Sequence, residues 1–359
     1  MANNDSGNIF PSDLEAFCIA ALSKAGLSEE DAKLTAKVFV TTDSWGTFTH
    51  GSRQIRGLLK NARSGRLKLD AREKIITEGP AWAIIDACDG MPPSISYRAV
   101  ELTIRKARET GMGYVGVRGS SHYGAAGFYA NLIAENGMLG LSMCNVEPCM
   151  TVPGGKAKML GTNPIAYAAP TGTNHTVMLD IATSAVAATK IFAARNEGRS
   201  IPDTWLVDEN GVPTTNPNEY PAKGAQLPMA GHKGYGLAIL VEIMTAVMTG
   251  AAMMSQVQSW ASDLPEPSNQ GHAFLAIDVA AMLPAADFND RMAQMTQELK
   301  SAPTAEGTDR IYMPGEMEWD RRDKALVEGM VLPEDVLISL RGLAEDLEID
   351  PAEYDLKLG

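Results

Sequence analysis

The sequence predicts an α/β protein, in which a mostly buried sheet is flanked by helices and joined to a helical unit built from both ends of the chain. Two observations predict it. From Trp82 onward, short apolar runs alternate with helical patterns, as strands covered by helices do. Before residue 65 and after Trp319, only helical patterns recur. The 359 residues allow two domains, at about 150 residues each. The expected division is 1–75 together with 317–359 as the helical domain, and 76–316 as the α/β domain.

The elements follow in order. Ser12 and Glu15 form a capping-box pattern. Leu14, Phe17, Ala21 and Leu22 then recur at helical spacing until Gly26 stops the run. Ser28 opens a second helix to about Ser44, and a third follows Gly51 and ends near Gly65. The strand candidates are AWAIID at 81–86, YVGV at 114–117, LGLSMCN at 139–145, PIAYAAP at 164–170, VMLDIA at 177–182, WLVD at 205–208 and AFLAID at 273–278. Helical patterns cover Ser94–Thr110, Ala125–Asn136, Ser184–Asn196, Gly234–Thr249 and Asp287–Ser301, and the tail Trp319–Leu347 is helical again. Ser262–Gln270 is a Pro-rich polar loop.

Composition narrows the function. Lys and Arg number 31 against 44 Asp and Glu, a net charge of −13. A nucleic-acid binder needs a basic face, and docking on anionic lipid needs basic clusters, so both are excluded as partners. Cys18, Cys88, Cys144 and Cys149 make no CxxC pair, and four reduced thiols fit the cytosol. The N-terminal stretch carries no basic and apolar export pattern. Leu237–Met253 is interrupted by Glu242 and is too short and polar to span a bilayer. The expected location is the cytoplasm.

Several motifs bear on chemistry. Gly111, Gly113 and Gly116 satisfy GxGxxG, but the motif follows a helix and enters a strand. The dinucleotide fingerprint has the opposite order, because phosphate must meet the free amides of a helix start. It is therefore read as a helix stop, and any nucleotide is bound without a Rossmann turn. Three of the five histidines lie beside glycine at strand ends or helix starts: His50, His122 and His232. Such places offer free backbone N–H groups and ligand sites. Histidine is also the usual proton carrier near neutral pH. A surface or capping role is the plain alternative for each. HExxH and HxH spacings are absent, so no metal site is expected. In GHKGYG at 231–236, Lys233 adds a charge to a glycine-bracketed helix start, a receptor for phosphate or carboxylate, or an incidental lysine.

Arg53, Arg56, Lys60 and Arg63 share one helical face. The strip either steers an anionic substrate or is a solvated face. Asn163 in GTNP, and Asp180 to Ser184 at the end of a strand, offer donors and acceptors for a ribose or carboxamide, and serve equally as caps. Asp203–Trp205 and Asp208–Gly211 read as turns.

Taken together, seven stretches resemble the second-type malate/L-lactate dehydrogenase family, with a flavour of its ureidoglycolate dehydrogenases. They are THG at 49–51, SSHYGAAGFY at 120–129, GTNPIAYAAP at 161–170, LDIATS at 179–184, IPDTWLVDENGVPTT at 201–215, GHKGYGLAILVE at 231–242 and MPGE at 313–316. The resemblance implies a non-Rossmann NAD- or NADP-binding domain at 76–316 with a large mixed sheet, and a homodimer. It implies hydride transfer between nicotinamide and a small 2-hydroxy or 2-oxo acid. His122 would be the acid/base, with His50 and Thr49 as a second proton-donor pair. The cofactor would lie along Ser121, His122, Tyr123, Gly124, Ala125, Asn163, Asp180, Ile181, Ala182, His232, Lys233, Pro314, Gly315 and Glu316. The family commonly places Arg four and Tyr eight residues after the first His. Here Gln54 and Leu58 stand there, leaving Arg53, Arg56, Gln54 and Thr183 as the substrate-binding candidates. Two further classes stay open: an imine reductase acting on a cyclic imino acid, and an anion-binding module without catalysis.

Overall fold

The computed structural model describes residues 7–262 and 265–358. The first residues read for an export signal, and Asp263 and Leu264 of the Pro-rich loop, lie outside the described residues. Helix α1 (Pro11–Lys24) starts on Pro11 with no side-chain cap. Ser12 bonds Asp13 instead, so the expected capping box does not form. Proline suits the first helical position, and it draws the start one residue ahead of Ser12. Helix α2 (Glu29–Ser44) is capped as expected, Ser28 Oγ accepting from the Asp31 N–H. Helix α3 is Gln54–Arg63.

A seven-stranded mixed sheet forms the centre. Its strands are β1 (Lys74–Gly79), β2 (Trp82–Asp86), β3 (Met112–Ser120), β4 (Met138–Cys144), β5 (Ile165–Ala169), β6 (Val177–Ile181) and, by chain order the tenth, β10 (Gln270–Asp278). The spatial order is β1-β2-β3-β10-β4-β5-β6. Edge strand β1 has no counterpart among the expected strands. It is exposed on both faces, so no alternation marks it. The remaining strands, β7 (Leu206–Val207), β8 (Pro213–Thr214) and β9 (Ala225–Gln226), make a small separate sheet.

The sheet is packed by α4 (Pro92–Thr110) and α5 (Ala126–Ala134). Gly111 ends α4 in the left-handed region at φ +84°, where glycine is the usual stop. A Cβ on Gly113 would lie 2.3 Å from the Thr103 carbonyl. The GxGxxG glycines therefore serve a tight junction between helix and strand. Helix α6 (Ala188–Asn196) begins four residues later than its pattern, and α7 (His232–Glu242) continues into a π-helical turn at Ile243–Val247. Helix α8 is Ala285–Lys300, and Gly329 splits the tail into α9 (Glu316–Glu328) and α10 (Glu334–Leu347). A second hydrophobic cluster joins Leu14, Phe17 and Leu58 to Leu337, Leu340 and Leu343 of α10. The two ends of the chain thus share one core.

The topology fixes where a site can form. β3 and β4 both run antiparallel to β10, β2 runs with β3, β5 reverses on β4, and β6 reverses on β5. The carboxyl ends of β2, β3, β4 and β6 therefore meet the amino ends of β5 and β10 along one edge.

Candidate active site

That edge collects most of the histidine and glycine turns. His122 follows β3, and its half-buried ring stacks on His50 with centroids 5.5 Å apart. His50 comes from the short turn Phe48–His50 between α2 and α3, so the helical unit delivers one imidazole and the sheet the other. Thr49 Oγ1 lies 2.9 Å from His50 Nδ1, and Gln54 donates to the Thr49 carbonyl. The turn rests on Asp43 of α2. One oxygen of this buried carboxyl accepts the Ser52 N–H at 2.9 Å. A Cβ on Gly51 would come within 1.7 Å of the other oxygen, so only glycine fits over Asp43.

The electrostatics favour neutral rings. His122 is half-buried and His50 exposed, yet the protein atoms around both rings disfavour their charged forms. This desolvation holds the His122 pKa well below 6.5, with further contributions from His50 and His272. His50 is lowered by the same cause and by Arg53. His272, fully buried, is pushed down to about 3. It stacks on Tyr123 at 4.2 Å and bonds Ser120 through Nε2, so it braces the wall behind His122.

Several candidates prove to be braces. Tyr123 is buried against His272 and Tyr129, its hydroxyl on Ser142. Ser121 is buried and donates to Ser268. Buried Asn163 bonds Val146, Ala238 and Glu242. Thr183 is fully buried and its hydroxyl donates to the Thr162 carbonyl. Arg56 is held by Asp346 of α10 at 3.0 and 3.3 Å, and Arg63 joins the same carboxylate. Much of the basic strip is thus a docking face for α10. Arg53 pairs with Asp335 but remains close enough to His50 for its charge to lower that ring's pKa.

A cleft of about 170 Å³ is lined by Trp45, Thr47, Ala125, Gly127, Met178, Leu179, Asp180, Pro314, Gly315 and Glu318. Four of the expected cofactor residues meet here, from three distant segments. Asp180, an exposed residue, accepts the Gly127 N–H at 2.7 Å at the start of α5, and the protein packed around its carboxyl, with a smaller contribution from Glu318, pushes its pKa up to about 6. Trp45 Nε1 in this wall has no hydrogen-bond partner. Gly315 precedes α9 at φ +92°. A helix start, an unmet indole N–H and a carboxylate acceptor fit a ligand that carries both anionic and hydroxyl groups.

Ile181 and Ala182 end β6 beside this cleft, half-buried. Glu316 opens α9, accepting the Met313 N–H and pairing with Lys300. Gly124 leads into α5 next to α2. His232 and Lys233 start α7, exposed, after a loop tied to Thr183 by the Met229 N–H. They share the sheet edge with His122 but lie on the β6 side, beside Thr183.

Two contributors escape sequence reasoning. Trp260 lies with its ring centroid 4.5 Å from that of His122, yet it sits in an irregular loop without periodicity. Asp43 looks like any acid near a helix end. Among the described residues, no three His, Cys, Asp or Glu side chains gather as metal ligands. No helix among them is long and apolar enough to cross a membrane.

The fold is a non-Rossmann α/β architecture with a stacked histidine pair where strand ends meet a helical unit. The chain belongs to the malate/L-lactate dehydrogenase family, which its residues 9–341 match. It is 36% identical over 344 residues to malate dehydrogenase of Pyrococcus horikoshii, 94% of each chain. It is 34% identical to L-sulfolactate dehydrogenase of Methanocaldococcus jannaschii, covering 96% of this chain and 98% of that one. It is 33% identical to an NAD(+) ureidoglycolate dehydrogenase of Escherichia coli, covering 88% and 89%. The solved structures of the first two superpose with TM-scores of 0.87 and 0.90 over 97% or more of each chain. A delta1-piperideine-2-carboxylate reductase from Pseudomonas syringae superposes at 0.83, 29% identical, over 94% of this chain and all of that one.

Proposed function

We propose that this protein is an NAD- or NADP-dependent dehydrogenase of small 2-hydroxy acids, with His122 as the acid/base. The observation that carries this reading is the His122–His50 pair at the sheet edge, in a chain of this family. A bound nicotinamide would supply the hydride chemistry at the substrate's C2. Oxidation of the alcohol also releases one proton from the C2 oxygen, and a neutral imidazole beside that oxygen can take it; reduction reverses the transfer. A positioned imidazole contributes about 10² to 10⁴ in rate. His50, ordered by Thr49, is the relay toward solvent. The half-exposed Arg53 guanidinium is the anchor for the substrate carboxylate. Ala125, Asp180, Ile181, Ala182, Pro314 and Gly315 would hold the cofactor, with His232 and Lys233 closing its far end.

A second reading is reduction of a cyclic imino acid, which the likeness to the piperideine-carboxylate reductase favours. The experiment is a screen of pyruvate, oxaloacetate, ureidoglycolate and piperideine-2-carboxylate with NADH and NADPH. His122→Ala is expected to lose about 10² to 10⁴ in turnover while NAD(P)H binding changes only a few-fold. Full activity of that variant removes His122 from the mechanism. No saturable NAD(P)H fluorescence change would instead favour a plain anion-binding module. A homodimer in the cytoplasm is part of the proposal, which light scattering and fractionation would check.

A further inference from the structure

The loop that carries Trp260 is held by an arginine that bonds neither histidine. Arg66 is 3% exposed. Its guanidinium donates to the carbonyls of Ser259 (2.7 Å), Trp260 (3.3 Å), Ser262 (2.6 Å) and Glu266 (3.0 Å). Asn61 adds a bond to the Trp260 carbonyl at 2.8 Å. Ser259 Oγ donates to Glu147 at 2.6 Å, which ties the loop to the end of β4. A guanidinium has five N–H donors in a fixed fork and stays charged, so burying it among carbonyls fixes the loop path closely.

This placement sets the indole against the substrate position. Gly57 of α3 faces it, and a Cβ there would be 3.2 Å from the indole ring. On the other side the ring reaches His122. The His122 and Trp260 ring centroids are 4.5 Å apart, so a substrate whose C2 oxygen meets His122 brings its remaining substituent near the indole. That surface is apolar and aromatic. The cations near it are already taken: Arg53 by the substrate's own carboxylate on the reading above, Arg56 by Asp346, and Arg66 by four carbonyls. A second carboxylate or sulfonate on the substrate would be desolvated there without a partner, which is costly.

We infer that Trp260, positioned by Arg66, determines specificity by selecting 2-oxo or 2-hydroxy monocarboxylates with an apolar or planar side chain over dianionic ones. The inference rests on the dehydrogenase reading above and adds the substrate class to it. It also sets this chain apart from relatives named for malate and sulfolactate.

The test compares kcat/KM for 2-oxobutanoate and oxaloacetate in the wild type, Trp260→Phe, Trp260→Ala and Arg66→Lys. The wild type is expected to favour 2-oxobutanoate by about tenfold or more, a preference of the size that apolar pockets give. Trp260→Phe should keep that preference and Trp260→Ala should erase most of it. Arg66→Lys should reduce it with NAD(P)H affinity unchanged, as befits a residue that acts only through the loop. Oxamate, an unreactive pyruvate isostere, should alter the tryptophan emission of the wild type and not that of Trp260→Phe. Preference for oxaloacetate in the wild type, or an unchanged ratio in Trp260→Ala, overturns the inference. Absence of turnover with every 2-oxo acid, with the oxamate response intact, overturns the dehydrogenase reading and leaves Trp260 as a ligand wall.

Discussion

Replacing Asp43 by asparagine should stabilise the protein at neutral pH and not in mild acid. Asp43 is 1% exposed. One of its oxygens accepts the Ser52 N–H, and the other has no partner. Burial is the largest influence on it; the Ser52 hydrogen bonds and Arg53 oppose burial only in part, so its pKa rises from 3.8 to about 7. The folded state therefore holds a proton that the unfolded chain releases near pH 4. Stability is full below pH 4, falls as pH rises, and levels off above about pH 7. At about 1.4 kcal/mol per pKa unit, the loss across that window is of the order of 4 kcal/mol. The substituted amide does not titrate, and any fixed cost it carries is the same at every pH. The stability of Asp43→Asn minus that of the wild type should therefore climb by about 4 kcal/mol from pH 4 to pH 8. At about 2.1 cal/mol/K of unfolding entropy per residue, this is about 5 °C in Tm for a chain of this length. Urea unfolding or thermal melts across pH 4 to 8 measure it. A difference that stays flat over that range would refute a protonated Asp43 beneath the His50 turn.

Three further outcomes follow from the same site. Because desolvation keeps the His122 pKa well below 6.5, kcat/KM for alcohol oxidation should hold level from pH 7 upward and fall only in clearly acidic buffer; an acid limb at or above pH 6.5 counts against His122 as the base. Arg53→Ala should raise KM for the 2-oxo acid strongly. Arg56→Ala should leave KM alone and cost about 1 kcal/mol or less, as exposed pairs do, and equal KM values in both variants would discard Arg53 as anchor. Gly51→Ala pushes a methyl into Asp43, so it should lower both turnover and stability, the latter by about 1–3 kcal/mol; wild-type melting and turnover would show that the turn tolerates a side chain.

Much of the fold was legible because periodicity reports burial directly. β3, β4 and β10 are buried along most of their length and read as near-continuous apolar runs. Ser28 caps α2 as its type and position imply. β1 failed on the same logic: Lys74, Ile75, Ile76, Thr77 and Glu78 are all exposed, so pairing with β2 holds them and no buried face prints a period-two pattern. The capping box failed because a proline one residue earlier set the helix start. The end of α7 was blurred because its apolar pattern runs on through the π-helical turn, where hydrogen bonding changes and residue type does not.

The site was legible where local backbone needs coincide with chemistry, and illegible where it depends on a partner far along the chain. His50 and His122 stood out because glycine-flanked turns at element ends are where ligands and free amides meet. Arg53 and Arg56 looked like a free positive strip because nothing near them in sequence opposes their charge. The opposing carboxylates, Asp335 and Asp346, arrive from α10 about 280 residues later, and only the shared core of the two chain ends brings them there. Trp260 is the converse case. Its loop has neither period nor cap, and its position comes from Arg66, almost 200 residues earlier. Charge read along a sequence is thus an upper bound on charge available to a ligand. Its remainder is set by the long-range packing that also decides which side chains wall the cleft. Arg53 beside His50, and Trp260 beside His122, are what that packing leaves for a substrate to meet.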